Sequence, residues 1–319
     1  MQWSGGRDGG TPALRVEIIL HGLSKAFFPG GGTTGHHADG WSESVITGII
    51  QARMGATRLP GKTLKPIEGV SLLGWTVRAV RACPLLEGVV VATTTSPDDD
   101  PVVEEAQAHG AQVYRGDPED VLARYLGAGR ELGLDVIVRV SGDSPLFSPW
   151  VCAGVIEAYV NADFDYVSNA TDETFPYGTQ AEVFSLAALE RSWELADLRT
   201  DHEHVTPALR RHPDVFSVLS VIAPEPIRRG LYRLCIDTPR DYDVVCAVFE
   251  GIDHAPGVAP DLLDVVALLD SHPDLTEHMI PNSQRYSIKQ ERGDALPQVE
   301  MCMQFREAYL QRQGGSRNG

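Results

Sequence analysis

The sequence predicts an α/β fold in three layers, with a mostly parallel sheet between helices. From residue 44 onward, short apolar runs of strand length alternate with amphipathic stretches of helix length, as in successive βα units. Hydrophobic residues make up 43% and charged residues 22% of the 319 residues, which is typical of a folded globular chain and not of a disordered one. A chain of this length buries a large core without disulfides or metals as staples.

Strands are predicted at the short apolar runs, which cover residues 45–50, 89–92, 112–114, 136–140, 166–167 and 215–221. Helices are predicted where apolar residues recur at intervals of three and four, over residues 72–81, 101–109, 120–132, 149–160, 185–196, 202–211, 240–250 and 261–269. Pro101 suits a helix start, and the aspartates before it suit the positive end of the helix dipole. Two further strands, 181–184 and 232–236, are expected to form an antiparallel section within residues 175–235.

Composition shifts divide the chain into three parts. Residues 1–43 are rich in glycine and lack periodic pattern, so we expect a flexible extension there, or translation from a start site upstream of the true one. Residues 44–272 form the predicted α/β domain. Residues 273–319 form a C-terminal tail, and its polar part from about residue 281 has no place in the predicted fold.

Charge and cysteine usage narrow the function. Lys and Arg number 27 against 44 Asp and Glu, and a net charge of −17 excludes a protein that wraps nucleic acid, although a local basic pocket for a small anion is compatible with it. The five cysteines are scattered without a C-x-x-C pair, which suits a reducing cytoplasm. Because no run of about 18 apolar residues occurs, no membrane span is predicted.

The loop after the first strand is the most informative segment. It reads QARMGATRLPGK, residues 51–62, and carries the cations Arg53, Arg58 and Lys62 among two glycines and a proline. Glycines let backbone amides approach an anion closely, and the cations can neutralise a polyphosphate. The alternative is a solvated basic loop. The spacing matches neither the Walker A motif nor G-x-G-x-x-G.

Two aspartates each follow a predicted strand. Asp143 comes after residues 136–140, and Asp237 after residues 232–236. The carboxyl ends of parallel strands are where open α/β sheets bind ligands. The alternatives are a turn residue for Asp143 and a helix N-cap for Asp237. A rival acidic cluster at residues 98–100 is interpreted as a helix start.

Eight segments in order carry a family resemblance. They read QARMGATRLPGK, VVVATTTSPDDD, RGDPEDVLARY, VRVSGDSPL, DYVSN, AEVFSLAALERSW, DHEHVTP and LCIDTPRDYDVV, between residue 45 and about residue 250. This series resembles the cytidylyltransferase family, which includes the CMP-Kdo and CMP-acylneuraminate synthetases and, as the most similar branch, the SpsF proteins of spore coat polysaccharide biosynthesis. The resemblance leaves out the first 44 residues and is weak after about residue 270.

The resemblance implies a fold like that of the nucleotide-diphospho-sugar transferases and a homodimer built on the antiparallel section. It implies a cytoplasmic enzyme of polysaccharide or glycoconjugate precursor biosynthesis, which transfers CMP from CTP to an acidic sugar or sugar-like acceptor and releases pyrophosphate. Asp143 and Asp237 would hold Mg²⁺. Arg53, Arg58 and Lys62 would hold the β- and γ-phosphates.

Other positions match the family with alternatives open. The nucleotide-binding set is Ala52, Gly55, Thr93, Thr94, Asp120 and Arg124. The threonines are equally compatible with a surface turn. Asp120 and Arg124, at i and i+4, are equally compatible with a salt bridge on one helix.

The acceptor set is Gln180, Glu182 and His202. Gln180 stands where SpsF-like sequences often have an acid, which weakens the assignment of any particular acceptor. Glu182 either binds acceptor hydroxyls or faces outward on its strand. Metal binding by His202, Glu203 and His204 is not expected, because the two histidines fall on different helix faces.

Two other classes of function remain open from the sequence. A nucleotide-sugar glycosyltransferase would use the aspartates at 98–100 as a D-x-D metal site and would release no pyrophosphate. A non-catalytic nucleotide-binding protein would bind ligand without turnover.

Overall fold

The computed structural model describes residues 45–279 and 296–315. The predicted extension, residues 1–43, lies outside the described residues. The strands are β1 (Ile46–Gln51), β2 (Pro66–Ile67), β3 (Val70–Ser71), β4 (Gly88–Thr94), β5 (Gln112–Gly116), β6 (Val136–Ser141), β7 (Tyr166–Ser168), β8 (Glu182–Ser185), β9 (Val218–Ile222) and β10 (Gln298–Glu300).

The α-helices follow the predicted sites closely, and two of them have the predicted bounds. They are α1 (Leu72–Arg81), α2 (Asp100–Ala108), α3 (Val121–Leu132), α4 (Pro149–Val160), α5 (Leu186–Trp193), α6 (Arg199–His204), α7 (Pro207–Arg211), α8 (Pro239–Gly251), α9 (Leu262–Ser271), α10 (Pro273–Thr276) and α11 (Gln304–Gly315). Side-chain oxygens cap the amino ends of several of them, including α1 at Ser71, α4 at Ser148 and α8 at Thr238.

The central sheet has eight strands in the order β10-β9-β7-β8-β6-β1-β4-β5. Every neighbouring pair is parallel except the two that include β8, which runs antiparallel to β6 and to β7. The mostly parallel sheet with an antiparallel section is therefore confirmed. The register sets Arg139 beside Glu182, so β8 begins near the carboxyl end of β6.

Alternate residues of the strands face opposite layers. Ile50, Val91 and Val138 pack into one buried cluster with α1, α4, α8 and α9. Ile49 and Ile137 pack into a second cluster with α3 and α5. Helices thus cover both faces of the sheet, which is the predicted three-layer arrangement.

The prediction of a strand at residues 232–236 is wrong. This segment forms only an isolated bridge, between Tyr177 and Arg233. Its backbone bonds go instead to two loops, from Leu234 N to Tyr177 O over 2.6 Å and from Ile236 N to Asp143 O over 2.9 Å. Gly178, next to this bridge, has φ 111°, and a Cβ on it would lie only 2.7 Å from Cys235 N. The backbone of residue 178 therefore leaves the extended conformation, and the strand pairing does not continue past the bridge.

The predicted helix at residues 202–211 is two short helices, α6 and α7. Pro207 has no N–H to donate to the carbonyl of residue 203, so a helix does not run through it, and α7 begins there. Val205 ends α6 with φ 72°, an unusual conformation for a β-branched residue, and its side chain is fully buried.

The C-terminal segment contributes to the sheet. β10 pairs in parallel with β9, and Met301 and Phe305 enter the main buried cluster. No helix in the described stretches is long and apolar enough to cross a membrane.

Candidate active site

A cavity of about 290 Å³ opens where the carboxyl ends of β1 and β6 lie side by side. Its lining includes Arg53, Arg58, Lys62, Arg124, Asp143 and Asp237. At its floor the amide of Gly142 donates to Gln51 O over 2.9 Å. A Cβ on residue 142 would lie 2.5 Å from that carbonyl oxygen, so only glycine fits between the two strand ends.

Lys62 joins the two predicted metal ligands. Its ammonium nitrogen lies 2.9 Å from Asp143 Oδ2, 2.9 Å from Asp237 Oδ1 and 2.6 Å from the carbonyl oxygen of Ile236. All three N–H bonds of the ammonium group therefore have acceptors within the protein. The side chains of Lys62, Asp143 and Asp237 are only 14%, 22% and 17% exposed, so solvent screens these contacts weakly.

The charges in this cluster shift one another. Burial opposes ionisation of Asp237, but Lys62, Arg233 and Arg58 outweigh it, and the pKa of Asp237 falls below its ordinary value. Burial likewise disfavours the charged form of Lys62, but Asp143 and Asp237 more than compensate, and the pKa of Lys62 is raised. Both groups are therefore charged at neutral pH.

Two arginines complete the surroundings of Asp237. Arg58 lies 3.1 Å from Oδ1 and is half exposed. Arg233, almost fully buried, holds Oδ2, and its guanidinium lies over the ring of Tyr177 and 3.5 Å from Asp241 Oδ1. Asp241 in turn accepts hydrogen bonds from the amides of residues 237 and 238. Asp237 thus reaches the cavity on an irregular segment that side chains fix in place.

Arg53 and Arg124 form a second cationic corner. Arg53 donates to Pro118 O over 2.9 Å, and Arg124 donates to Asp117 O over 2.6 Å. Burial is the main cause that lowers the pKa of Arg124, and the positive charge of Arg53 is the second. The Nε of Arg124 is buried and has no hydrogen-bond partner among the described residues. Two guanidinium groups so placed favour an anion in the cavity.

A family model of cytidylyltransferases matches residues 47–259. The chain belongs to the cytidylyltransferase family. It is therefore a nucleotidyltransferase enzyme, as the resemblance of its motifs implied.

Individual relatives agree with the family. The spore coat polysaccharide biosynthesis protein SpsF of Bacillus subtilis is 34% identical over 233 residues, which cover 71% of this chain and 94% of SpsF. A 3-deoxy-manno-octulosonate cytidylyltransferase of Maricaulis maris is 36% identical over 116 residues, which cover 35% of this chain and 43% of that one. The structure of a cytidylyltransferase from Leptospira borgpetersenii superposes with a TM-score of 0.69 at 28% identity, covering 75% of this chain and 99% of that one.

The carboxylates of this cytidylyltransferase fit a hard divalent cation. Asp143 and Asp237 both reach one nitrogen atom, so their oxygens converge on a common point. Ser141 donates to the other oxygen of Asp143 over 2.7 Å and orients it. Within residues 45–279 and 296–315, no group of three His, Cys, Asp or Glu side chains could hold a metal. Two carboxylates suffice for a cation such as Mg²⁺, because substrate phosphates and water complete its shell.

Some predicted nucleotide-binding residues lie in the cavity of the cytidylyltransferase and others do not. Ala52, Gly55 and Arg124 line it. Thr93 and Thr94 are buried and do not line it, and Thr94 donates to Asp99. Asp120 caps α3 through the amide of Ala123. The nucleotide-binding roles of Thr93, Thr94 and Asp120 stay predictions.

The predicted acceptor residues do not line the cavity. Gln180 bonds within its own loop, to Gly178 N and Pro176 O. Glu182 pairs with Arg139 over 2.8 Å and is buried, and its second oxygen has no partner among the described residues. His202 pairs with Asp120 over 2.7 Å. Their acceptor roles also stay predictions.

Two residues that sequence reasoning set aside do line the cavity. Glu203 and His204 follow His202 on α6 and face the opening. Burial is the main cause that lowers the pKa of His204, and the positive charge of Arg139 is the second. The imidazole that lines the cavity is therefore neutral at pH 7. The sequence signal for them is the family-like segment DHEHVTP, in which the acceptor role is predicted for His202.

The aspartates at 98–100 serve the start of α2, as predicted. Asp99 accepts from Met54 N over 2.7 Å, and Asp100 pairs with Arg115. Neither lines the cavity, so the D-x-D site of a glycosyltransferase has no counterpart there.

Proposed function

We propose that this cytidylyltransferase transfers CMP from CTP to an acidic sugar or sugar-like acceptor, depends on Mg²⁺, and releases pyrophosphate. The observation that carries the proposal is the convergence of Lys62, Asp143 and Asp237 beside Arg53 and Arg124 in one cavity. The names of the two relatives support the acceptor class. One belongs to polysaccharide biosynthesis, and the other acts on 3-deoxy-manno-octulosonate, an acidic sugar.

The reaction is an in-line displacement at phosphorus. A hydroxyl oxygen of the acceptor bonds to the α-phosphorus of CTP, the bond from that phosphorus to the β-bridging oxygen breaks, and pyrophosphate leaves. The hydroxyl proton passes to solvent. Such chemistry asks the protein mainly to position reactants and to neutralise charge.

Asp143 and Asp237 would hold Mg²⁺, which supplies positive charge against the phosphate oxygens. Buried Arg124 and exposed Arg53 present forked donors to the triphosphate. Half-exposed Arg58 would exchange its contact with Asp237 for departing pyrophosphate. Lys62 aligns the two carboxylates, and its predicted contact with phosphate would require one of its present acceptors to be exchanged.

We further propose a cytoplasmic homodimer that supplies polysaccharide or glycoconjugate precursors. The five cysteines are free thiols, as expected in a reducing compartment. Light scattering of the purified full chain tests the dimer directly.

Thermal unfolding with each of CTP, UTP, GTP and ATP, with and without Mg²⁺, tests the donor. A ligand at about 100 times its Kd stabilises a protein by about 2.7 kcal/mol, so the midpoint should rise with CTP and Mg²⁺ together. A rise with another triphosphate alone would change the donor. A rise only with a nucleotide-sugar would overturn the proposal in favour of glycosyl transfer.

Pyrophosphate release with CTP then tests the acceptor. We expect release with 3-deoxy-manno-octulosonate or an acylneuraminate and none with neutral hexoses. Asp143→Asn should lower turnover by at least about a hundredfold, the scale for losing an electrostatic group at a reacting phosphate. Asp100→Asn is the matched control, because Asp100 pairs with Arg115 outside the cavity.

A further inference from the structure

Two helices that pack against each other both contribute to the lining of the cavity. α3 contributes Val121 and Arg124, and α6 contributes Glu203 and His204. α6 has only six residues, too few for a helix to be stable by itself in water. Its position, and with it the placement of Glu203 and His204, must therefore come from contacts with the rest of the fold.

One of these contacts leads directly to α3. His202 Nδ1 lies 2.7 Å from Asp120 Oδ2, and the two residues are 82 positions apart in the chain. On its other side, His202 Nε2 lies 3.2 Å from the carbonyl oxygen of Ala196. Both ring nitrogens thus lie within hydrogen-bond distance of an oxygen atom. The edge of the ring also packs against Trp193.

The same carboxylate fixes the start of α3. Asp120 Oδ1 accepts from the amide of Ala123 over 2.8 Å, which is the N-cap bond of that helix. Arg124 lies one turn further on and lines the cavity. Asp120 is therefore shared between two neighbouring helices that both line the cavity.

Residues on either side of His202 are also held in place. Arg211 holds both oxygens of Asp201, over 2.7 and 2.8 Å. After His204 the chain turns at Val205, which is buried at φ 72°. Because this conformation is unfavourable for valine, the surroundings must hold it in place. A short helix so constrained transmits a shift at His202 to the next two residues.

We propose that Asp120 and His202 act as a positioning pair, which sets the spacing of α3 and α6 and thereby places Glu203 and His204 against the hydroxyls of a sugar. A carboxylate and a neutral imidazole are both good acceptors for hydroxyl groups. The sugar is either the ribose of CTP or the acceptor, which rests on the proposed function. This positioning role replaces the direct substrate contacts predicted for Asp120 and His202.

The test uses four variants of the full chain. Asp120→Ser keeps an N-cap oxygen but is too short to reach His202. His202→Gln replaces the imidazole and removes its Nδ1 bond to Asp120, and the double variant measures the coupling. His254→Gln is the matched control, because His254 forms a comparable long-range pair with Glu68, at 3.1 Å, outside the cavity.

Hydrogen exchange tests the pair without reference to activity. We expect the amides of residues 199–205 to exchange about tenfold faster in each single variant, which corresponds to about 1.4 kcal/mol. The amides of the double variant should exchange no faster than those of the faster-exchanging single variant, because one interaction is lost only once. The control should leave exchange there unchanged. Additive effects in the double variant, or unchanged protection in the singles, would overturn the pair.

Steady-state kinetics test the positioning role. The KM for one substrate should rise about tenfold, with kcat changed less than the KM, because the groups that neutralise charge stay in place. A rise for CTP identifies ribose as the sugar, and a rise for the acceptor identifies the acceptor. Faster exchange with both KM values unchanged would refute the positioning role. If wild type shows no turnover with any acceptor, the proposed function fails, and exchange still decides the pair.

Discussion

Replacing Lys62 with methionine should destabilise the fold by about 3 kcal/mol at pH 7. Removal of one partner from a buried ion pair typically costs about 3–5 kcal/mol, because the remaining charge is left uncompensated. The lower end applies here. Arg58 and Arg233 remain on Asp237, and Ser141 remains on Asp143. Methionine keeps the apolar stem, so the loss reports charge and hydrogen bonding rather than packing.

The pH dependence of this loss follows from the shifted pKa values. Asp237 has a pKa below its unfolded value of about 3.9, so its contribution is present above about pH 4 and lost as pH falls through the folded pKa. Lys62 has a pKa above its unfolded value of about 10.4, so its contribution is present below about pH 10 and lost above the folded pKa. The stability difference between wild type and variant should form a plateau from about pH 5 to 9 and shrink toward pH 3.

Urea unfolding of both proteins across this pH range measures the difference, with Mg²⁺ and nucleotide left out. Lys65→Met is the control, because Lys65 lies over the ring of Tyr242 and forms no ion pair within the described residues. It should cost less than about 1 kcal/mol at every pH. A difference for Lys62→Met that stays constant from pH 3 to 8 would refute the assignment of its stability to the carboxylates.

Three further outcomes are expected. Gly142→Ala should lower the free energy of unfolding in urea by about 2 kcal/mol, because the new Cβ would lie 2.5 Å from a fixed backbone oxygen. Gly88→Ala is the control, because the nearest atoms to its Cβ lie at 3.7 Å. Equal losses of stability in the two variants would contradict the close-approach argument. Arg124→Lys should weaken CTP binding about tenfold in calorimetry, because a buried fork becomes a point charge, and unchanged affinity would place the triphosphate elsewhere. Glu182→Gln should destabilise by about 3 kcal/mol, since Arg139 would be left buried without its countercharge, and a loss under about 1 kcal/mol would mean that other groups compensate it.

The sequence predicted the sheet and most helices because their signals are local. The run at residues 136–140 and the cap before residue 149 each specify their element without help from distant parts of the chain. The failed predictions depend on tertiary context. Residues 232–236 have the composition of a strand, but their hydrogen bonds go to loops. The break before α7 has one local signal, Pro207, which the prediction of a single helix passed over, and one tertiary cause, the buried backbone conformation of Val205.

The site was predictable where the chain groups its charges or repeats family motifs. The cations of residues 53–62 and the two aspartates meet in the cavity, as the loop and the strand ends implied. The contributions of Arg233 and His204, and the bond between Asp120 and His202, were not predictable. Each depends on how distant segments pack, and burial sets the charge state of His204.

The cluster around Lys62 also has a consequence for the order of folding. Lys62 and Asp237 are 175 positions apart, and Lys62 and Asp143 are 81 apart. Loops of this length close late, because their entropy must be lost before the contact is gained. A nascent chain that has emerged only as far as the turn after β6 exposes Lys62 and Asp143 without their third partner. The ability to bind nucleotide should therefore appear only after the ribosome has released the segment that carries Asp237.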